Sequence, residues 1–439
     1  MEPEHFEALY PDITRFDEIE KILAFIKEGN SCQLIGVPGV GRSNLLGLLS
    51  YNRNVRSKHL GENQKWFHFV LLNFSEIRNK PILEATKFMF LGLLDSLRER
   101  QMTNEYEAVN KIFRENIKLN DELVLFQGLK KTIDFLAIEK KLTIVFLFDR
   151  FEEYVPMITS DFFTNLRILR NRAKYRFSVI FSSSRPVEDI LEPTFFADFY
   201  EFMAGKIIYM TISDKPGLEF RISYLEKITG KKINKNIMQK VLELTGGHGS
   251  LTRHSFEAFL ANENTDNLAS FLLLQKPVRS ALFGIWNSLN PSEQNQLTLL
   301  NFVDQDISYF ENVGLIEKNT LTIPLLRDYA LEKNKMVTEN DKISFDQSSN
   351  QIKMGDVIVS DKLTSSEFKL LKFLLLNKGA ILERNEIVNA VWENQQSTAG
   401  VTEQALDQLV FRLRKKIEED PNSPMHLQTI KGRGFKFFA

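Results

Sequence analysis

The sequence predicts an α/β unit built on a mainly parallel sheet, followed by an all-helical stretch and two small α+β modules. Three observations carry this. Over the first two hundred residues short apolar runs alternate with longer amphipathic helices, and several of these runs are continuously apolar, as strands covered on both faces are. From about 214 to 275 the pattern is helical throughout, broken by the turn Gly246-Gly247. The frame L-x-x-S-E-x-x-x-L-x-x-L then occurs twice, at 289–300 and 363–374, each time opening a helix.

The predicted strands are CQLIG (32–36), WFHFVLLNF (66–74), LTIVFLFD (142–149), FSVIFSSS (177–184) and KIIYMTI (206–212). Helix starts in the repeated frame are explicit. Asn290, Pro291 and Glu293 supply cap, first-turn proline and N3 acid, and Thr364 with Glu367 makes a capping box. The polar stretch KNKMVTENDK (333–342) reads as a linker. Beyond it, short strands over 343–362 lead to helices at 364–376, 383–392 and 401–418, and HLQTIKGRGFKFF (426–438) closes as a glycine-hinged hairpin. The resulting division is 1–213, 214–276, 277–335 and 340–439.

Bulk properties narrow the function. A chain of 439 residues is too long for one core. Its net charge of -1 offers no whole-chain attraction to nucleic acid, so DNA binding needs a local basic patch. The single cysteine, Cys32, rules out an intrachain disulfide framework and fits a reducing cytosol. The acidic N-terminus lacks a signal-peptide layout, and no apolar run reaches the roughly 20 residues of a membrane span. The expectation is a soluble, cytoplasmic protein with no membrane partner.

In the last long helix Leu406, Val410, Leu413 and Ile417 fall at helical spacing and can face a core. The opposite face carries Gln404, Asp407, Gln408, Phe411, Arg412, Lys415 and Lys416, with Arg414 at its flank. Amides can pair with base edges and cations can neutralise phosphates, which suits a major groove. The hairpin tip adds Lys431 and Arg433. Leading strands, LTSSEFKLLKFLLLNKGAILERNEIVNAVW, ALDQLVFRLRKKIEEDP and TIKGRGFKF together resemble the winged-helix DNA-binding domain of OmpR/PhoB-type regulators. The resemblance implies that Gln404, Gln408, Arg412, Lys415 and Lys416 face double-stranded DNA and that Lys431 and Arg433 form the wing. Gln404 stands where the family often has arginine. ENQQSTAG (393–400) corresponds to the loop that meets RNA polymerase, and Trp392 reads as core.

Near the N-terminus, GVPGVGRS (36–43) follows a strand and precedes an apolar helix, the context of a phosphate-binding P-loop. Gly36, Gly39 and Gly41 let backbone amides curl around an anion, and Ser43 can ligate Mg²⁺. Arg42 replaces the usual lysine, so ATP turnover is expected to be weak if it occurs. LTIVFLFDRFEEY matches a Walker B strand in which Asp149 helps hold Mg²⁺ and Glu152 or Glu153 would orient water. Arg185, after FSSS, lies where a γ-phosphate sensor would.

These segments resemble the STAND branch of AAA-like ATPases, which is close to origin-recognition initiators. The resemblance implies ATP or ADP with Mg²⁺, Arg15 flanking the adenine, Asn44 following the P-loop serine, and LTGGHGSLTR (244–253) as a lid motif. Gly249 occupies the place of the family's proline, and His248 reads as structural. The implied function is a DNA-binding transcriptional regulator under control of a nucleotide switch, with self-association as a further expectation. An active STAND ATPase in signalling or defence, or an initiator-like replication factor, are the alternatives.

Overall fold

The computed structural model describes residues 5–438 except 263–266, 300–301, 303–305, 341–342, 347–348, 356, 393–402, 419, 422–423, 425 and 431–433; for 334–340 and Glu403 it describes the backbone alone. Two compact units divide the chain, Met1–Tyr329 and Ala330–Ala439.

All five expected strands form. They are β1 (Cys32–Ile35), β2 (Phe67–Asn73), β3 (Thr143–Asp149), β4 (Phe177–Ser183) and β5 (Ile207–Tyr209). They build one parallel sheet in the order β2-β3-β4-β1-β5. β3 and β4 are buried almost end to end, which is why their sequences are continuously apolar. Around the sheet lie α1 (Phe16–Lys27), α2 (Arg42–Tyr51), α3 (Arg53–Leu60), α4 (Ile82–Glu99), α5 (Thr103–Ile117), α6 (Glu122–Ile133), α7 (Ser160–Ala173), α8 (Val187–Ile190) and α9 (Pro193–Tyr200). A cluster of phenylalanines, including Phe74, Phe148, Phe151, Phe162 and Phe181, fills the space beneath β3 and β4 with tilted and edge-on ring contacts.

The chain then becomes helical, through α10 (Lys215–Thr229), α11 (Lys235–Thr245), α12 (Gly249–Ala261) and α13 (Leu268–Leu274). Next come α14 (Lys276–Asn287), α15 (Pro291–Leu299), α16 (Ser308–Asn312) and the two-residue strands β6 (Ile316–Glu317) and β7 (Thr320–Leu321). Asn290 Oδ1 accepts from Glu293 N at 2.9 Å, and Glu293 Oε2 accepts from Asn290 N at 2.8 Å, closing the box expected at the head of α15.

The expected linker at 333–342 is helical as far as Asn340. Helix α17 runs Pro324–Asn340. No glycine or proline interrupts LEKNKMVTEN, so polarity alone does not end the helix.

The second unit opens with β8 (Ile343–Asp346), β9 (Gln351–Met354) and β10 (Val357–Ile358), an antiparallel sheet. It continues through α18 (Ser365–Leu376), β11 (Ile381–Leu382), α19 (Arg384–Trp392) and α20 (Glu403–Ile417), and ends with β12 (Leu427–Ile430) and β13 (Gly434–Phe437). β13 is the middle strand of β11-β13-β12. The capping box of Thr364 and Glu367 heads α18. Leu406, Val410, Leu413 and Ile417 are buried as their spacing requires, joined by Leu409, and Trp392 packs partly buried against the same core.

Candidate nucleotide cleft and nucleic-acid interface

The turn from β1 into α2 bends at two glycines, Gly39 (φ 83°) and Gly41 (φ 112°), the latter capping α2. Three successive carbonyls of this turn are held from outside. Pro38 O faces His248 Nε2 at 3.0 Å, Gly39 O accepts from Ser250 N at 3.0 Å, and Val40 O accepts from Arg15 Nη2 at 2.9 Å. In planar trans peptides the N–H of the next residue points opposite to each carbonyl. The Gly39 and Gly41 amides are thereby turned the other way, the disposition an anion-binding nest requires. A Cβ on Gly39 would stand 2.8 Å from Ser250 Cβ, so only glycine lets α12 approach this closely.

His248 joins these parts. It is fully buried, caps α12 by accepting Leu251 N–H on Nδ1 at 3.3 Å, and therefore carries its proton on Nε2, which donates to Pro38 O. Burial drives its pKa down to about 4, with Arg15 acting in the same direction and the Pro38 bond opposing. In the unfolded chain the imidazole titrates near 6.5. Its contribution to stability is thus complete above pH 6.5 and is lost as pH falls toward 4, on the order of 3 kcal/mol. His68, enclosed and lowered by burial, acts in the same direction. Urea midpoints at pH 7.5, 5.5 and 4.5 check this. The wild type should lose more stability over that interval than His248→Asn, which keeps a capping acceptor without the titration; parallel curves would refute the assignment.

Below the turn, the buried Asp149 carboxylate stands at the end of β3, with Ser43 close enough to act on it. Burial pushes the Asp149 pKa up, opposed by Ser43 and the Arg42 charge. Among the described residues no cluster of three or more His, Cys, Asp or Glu could hold a metal alone. A Mg²⁺ here would depend on Ser43, Asp149 and phosphate oxygens, which is how that ion is commonly held. Arg42 Nη2 donates to Glu152 Oε1 at 2.7 Å, both side chains being largely covered. Glu153 is paired with Arg78 and, at 3.5 Å, with Arg150. Both acids expected to orient water are therefore ion-paired.

A cavity of about 130 Å³ lies over Gly39, Val40 and Gly41, with Arg15, Asn44 and Arg221 on its walls. It adjoins a more apolar one of about 380 Å³ between Phe6, α10 and α12, and the two share Leu218, Arg221, Gly249 and Arg253. Tyr10 is held by Asn52 Nδ2, which donates to its carbonyl at 3.0 Å, and its hydroxyl pairs with Arg221 Nε. Arg221 Nη2 also reaches Asn44 Oδ1 at 3.2 Å. Tyr10, Asp214 and Arg221 belong to no local motif and converge only through the fold, whereas Arg253 closes the lid segment 244–253.

Two of the expected nucleotide-site residues are engaged in contacts within the chain. Arg15, expected beside the adenine, is only 6% exposed. Its guanidinium is spent on Glu18, Thr211 and Val40 O, and its N–H on Asp214 at 3.2 Å. It positions the turn. Arg185, expected to sense a γ-phosphate, is engaged by the 288–309 segment. It pairs with both Glu293 oxygens, donates to Ser288 O at 3.0 and 3.2 Å, and lies 3.4 Å over the Tyr309 ring. Burial alone would lower its pKa, but the Glu293 carboxylate outweighs this and holds it above the ordinary value.

In the second unit Gln404, Gln408, Arg412 and Lys415 lie exposed on one side of α20, with Lys415 Nζ 4.8 Å over the Phe411 ring. Lys416 departs from expectation. Its ammonium donates to Lys362 O at 2.7 Å and Glu367 Oε2 at 2.6 Å, fastening α20 to the head of α18. Asp407 pairs with Arg384 at 2.8 Å, and Arg414 donates to Leu427 O at 2.7 and 2.9 Å. Lys431, Arg433 and the 393–400 loop lie outside the described residues.

Residues 361–437 match the family model described as transcriptional regulatory protein, C terminal. The sensory transduction protein RegX3 of Mycolicibacterium smegmatis is 45% identical over 74 residues, 17% of this chain and 31% of that protein. The alkaline phosphatase synthesis transcriptional regulatory protein PhoP of Bacillus subtilis is 31% identical over 118 residues, 24% of this chain and 48% of that protein. The chain thus spans less than half the length of these relatives. Among solved structures, a Walker-type ATPase of Pyrococcus abyssi superposes with a TM-score of 0.46 at 16% identity, over 80% of this chain and 95% of that one. At residues 361–437 the chain carries a winged-helix domain of the OmpR/PhoB-type transcriptional regulatory family, with RegX3 and PhoP among its homologues.

Proposed function

We propose that the chain is a transcriptional regulator that binds double-stranded DNA through its C-terminal winged helix under control of an N-terminal, STAND-like nucleotide switch. The family match over 361–437 carries the reading, because it falls on a module whose α20 presents Gln404, Gln408, Arg412 and Lys415 to solvent. Amides at successive turns can read base edges, and Arg412 and Lys415 can neutralise phosphates. Residues 214–276 would act as lid and 277–335 as a first winged helix. The nucleotide would be ATP or ADP with Mg²⁺, phosphates at Gly39–Ser43 and base toward the apolar cavity beside Phe6. Pairing of Arg42 with Glu152, and of Glu153 with Arg78, favours a site that binds nucleotide over one that turns it over quickly.

The test is retention of genomic DNA fragments by the full chain, with ATP, ADP or neither, across a salt series. Nucleotide should change retention. Arg412→Ala with Lys415→Ala should weaken it and flatten the slope of log K against log salt by roughly two units, about 0.9 per lost phosphate contact. Unchanged retention in the double variant would remove α20 from the interface. Identical retention under all three nucleotide conditions would remove the switch.

A further inference from the structure

Strand β2 ends the five-stranded sheet, and among the described residues no strand pairs with its outer edge. A groove of about 1260 Å³ lies beside it, walled by α4 on one side and the α2–α3 corner on the other. Phe69 and Leu71 of β2 and Phe88 and Leu91 of α4 give it an apolar floor, with Leu91 45% exposed.

One part of the groove holds Arg56 and Arg100. Arg56 Nη1 donates to Leu49 O at 3.0 Å and Ser50 O at 2.6 Å, and Arg100 Nη1 to Phe67 O at 2.6 Å. All these acceptors are backbone carbonyls; among the described residues neither guanidinium has a carboxylate within ion-pair distance, Glu99 acting on Arg100 only through its charge. Arg100 Nη2 and Ser50 Oγ are covered and without a hydrogen-bond partner. Burial lowers Arg100 to about 9, with the Arg56 charge adding and Glu99 opposing, and lowers Arg56 to about 10, with Arg53 adding. The nearby acids are turned elsewhere, Asp95 to Arg98 at 2.8 Å and Glu99 to His5 at 3.7 Å, while Glu76 also lines the groove. His68, between them in sequence and fully buried, is held neutral and supplies no countercharge.

Two covered cations that no described carboxylate pairs directly, and a strand edge that no described strand pairs, occur in one groove. We propose that it binds an extended acidic segment of a partner protein, which pairs with β2 and sets an aspartate or glutamate against Arg56 and Arg100. Main-chain bonds to the edge would supply affinity and the arginine pair would select the acid. The groove shares no residue with the nucleotide cleft or with α20, so this does not depend on either.

The probe is an array of seven-residue peptides in which valine alternates with Asp, Glu, Lys or Ser, read with the full chain and followed by polarisation titrations of the best binders. Acidic peptides should bind, and hydrogen exchange at 67–73 should slow in their presence. Arg56→Glu should weaken them at least about tenfold and improve the lysine peptides. Because it also removes the bonds to Leu49 O and Ser50 O, its melting temperature should drop. Arg56→Gln, which keeps a donor for a carbonyl, is therefore read beside it and should likewise weaken the acidic peptides while DNA retention stays as in the wild type. Absence of any binder, equal binding of acidic and basic peptides, or indifference to Arg56→Glu would overturn the proposal. Protection of 67–73 by self-association without peptide would overturn it too, since the occupant would then be a second copy.

Discussion

Glu293→Ala should cost the N-terminal unit about 3–5 kcal/mol, the range for breaking one partner out of a covered ion pair. The carboxylate serves two structures at once. It closes the capping box at the head of α15 and receives Arg185 from the end of β4. Its side chain is 10% exposed and that of Arg185 14%, so water cannot readily replace it. Without it Arg185 keeps the Ser288 carbonyl and the Tyr309 ring but no anion. Glu293→Gln should fall between, since an amide oxygen still accepts but carries no charge. Adding Arg185→Ala to Glu293→Ala should cost less than the two single changes summed, because the orphaned cation is gone. Freed from Glu293, Arg185 becomes available to a γ-phosphate, so affinity for ATP should rise relative to ADP. Unfolding followed by hydrogen exchange in α15, together with ATP and ADP titrations, measures both effects. A loss below about 1 kcal/mol with an unaltered ATP-to-ADP ratio would show that the pair neither holds the 288–309 segment nor competes with nucleotide.

What was legible in the sequence was local. The five strands could be read because a strand covered on both faces must be apolar throughout, as in IVFLFD and FSVIFS. Both capping boxes could be read because cap and N3 acid lie three residues apart. The P-loop could be read because strand, glycines and helix are contiguous. Partnerships between distant segments could not. Arg15 meets Thr211 across 196 residues, and Arg185 meets Glu293 across 108. Periodicity gave α20 its apolar side, yet Lys416 shares the exposed side with Arg412 and is still drawn to Glu367, 49 residues back. A charge pattern says that a side chain needs an anion, not whether a phosphate or a carboxylate of the same chain will supply it. Polarity likewise made 333–342 look like a linker, although nothing in it forbids the helix that forms there.

Gly434→Val should unfold the C-terminal unit selectively. Gly434 has φ 126°, a conformation that L side chains rarely adopt, and a Cβ there would stand 2.0 Å from Leu382 O and 3.1 Å from Glu383 Cα. Both obstacles are backbone, so no rotamer change relieves them. β13 would have to leave β11, where Phe435 pairs with Leu382 and Lys436 with Ile381. Phe435 and Phe437, buried in the core that also holds Leu406 and Leu413, would move with it. Backbone strain and overpacking each cost about 1–3 kcal/mol, and together they approach the roughly 5–15 kcal/mol that a domain has available. Calorimetry should lose or shift the transition of this unit and leave that of Met1–Tyr329 in place. DNA retention should vanish while ATP and ADP titrations remain as in the wild type. Arg412→Ala with Lys415→Ala should also weaken retention, but with the melting profile unchanged. The pair of results separates loss of the contact surface from loss of the fold that carries it. If Gly434→Val retained both its melting transition and its DNA, the close approach of β13 to β11 would not be what holds the module together.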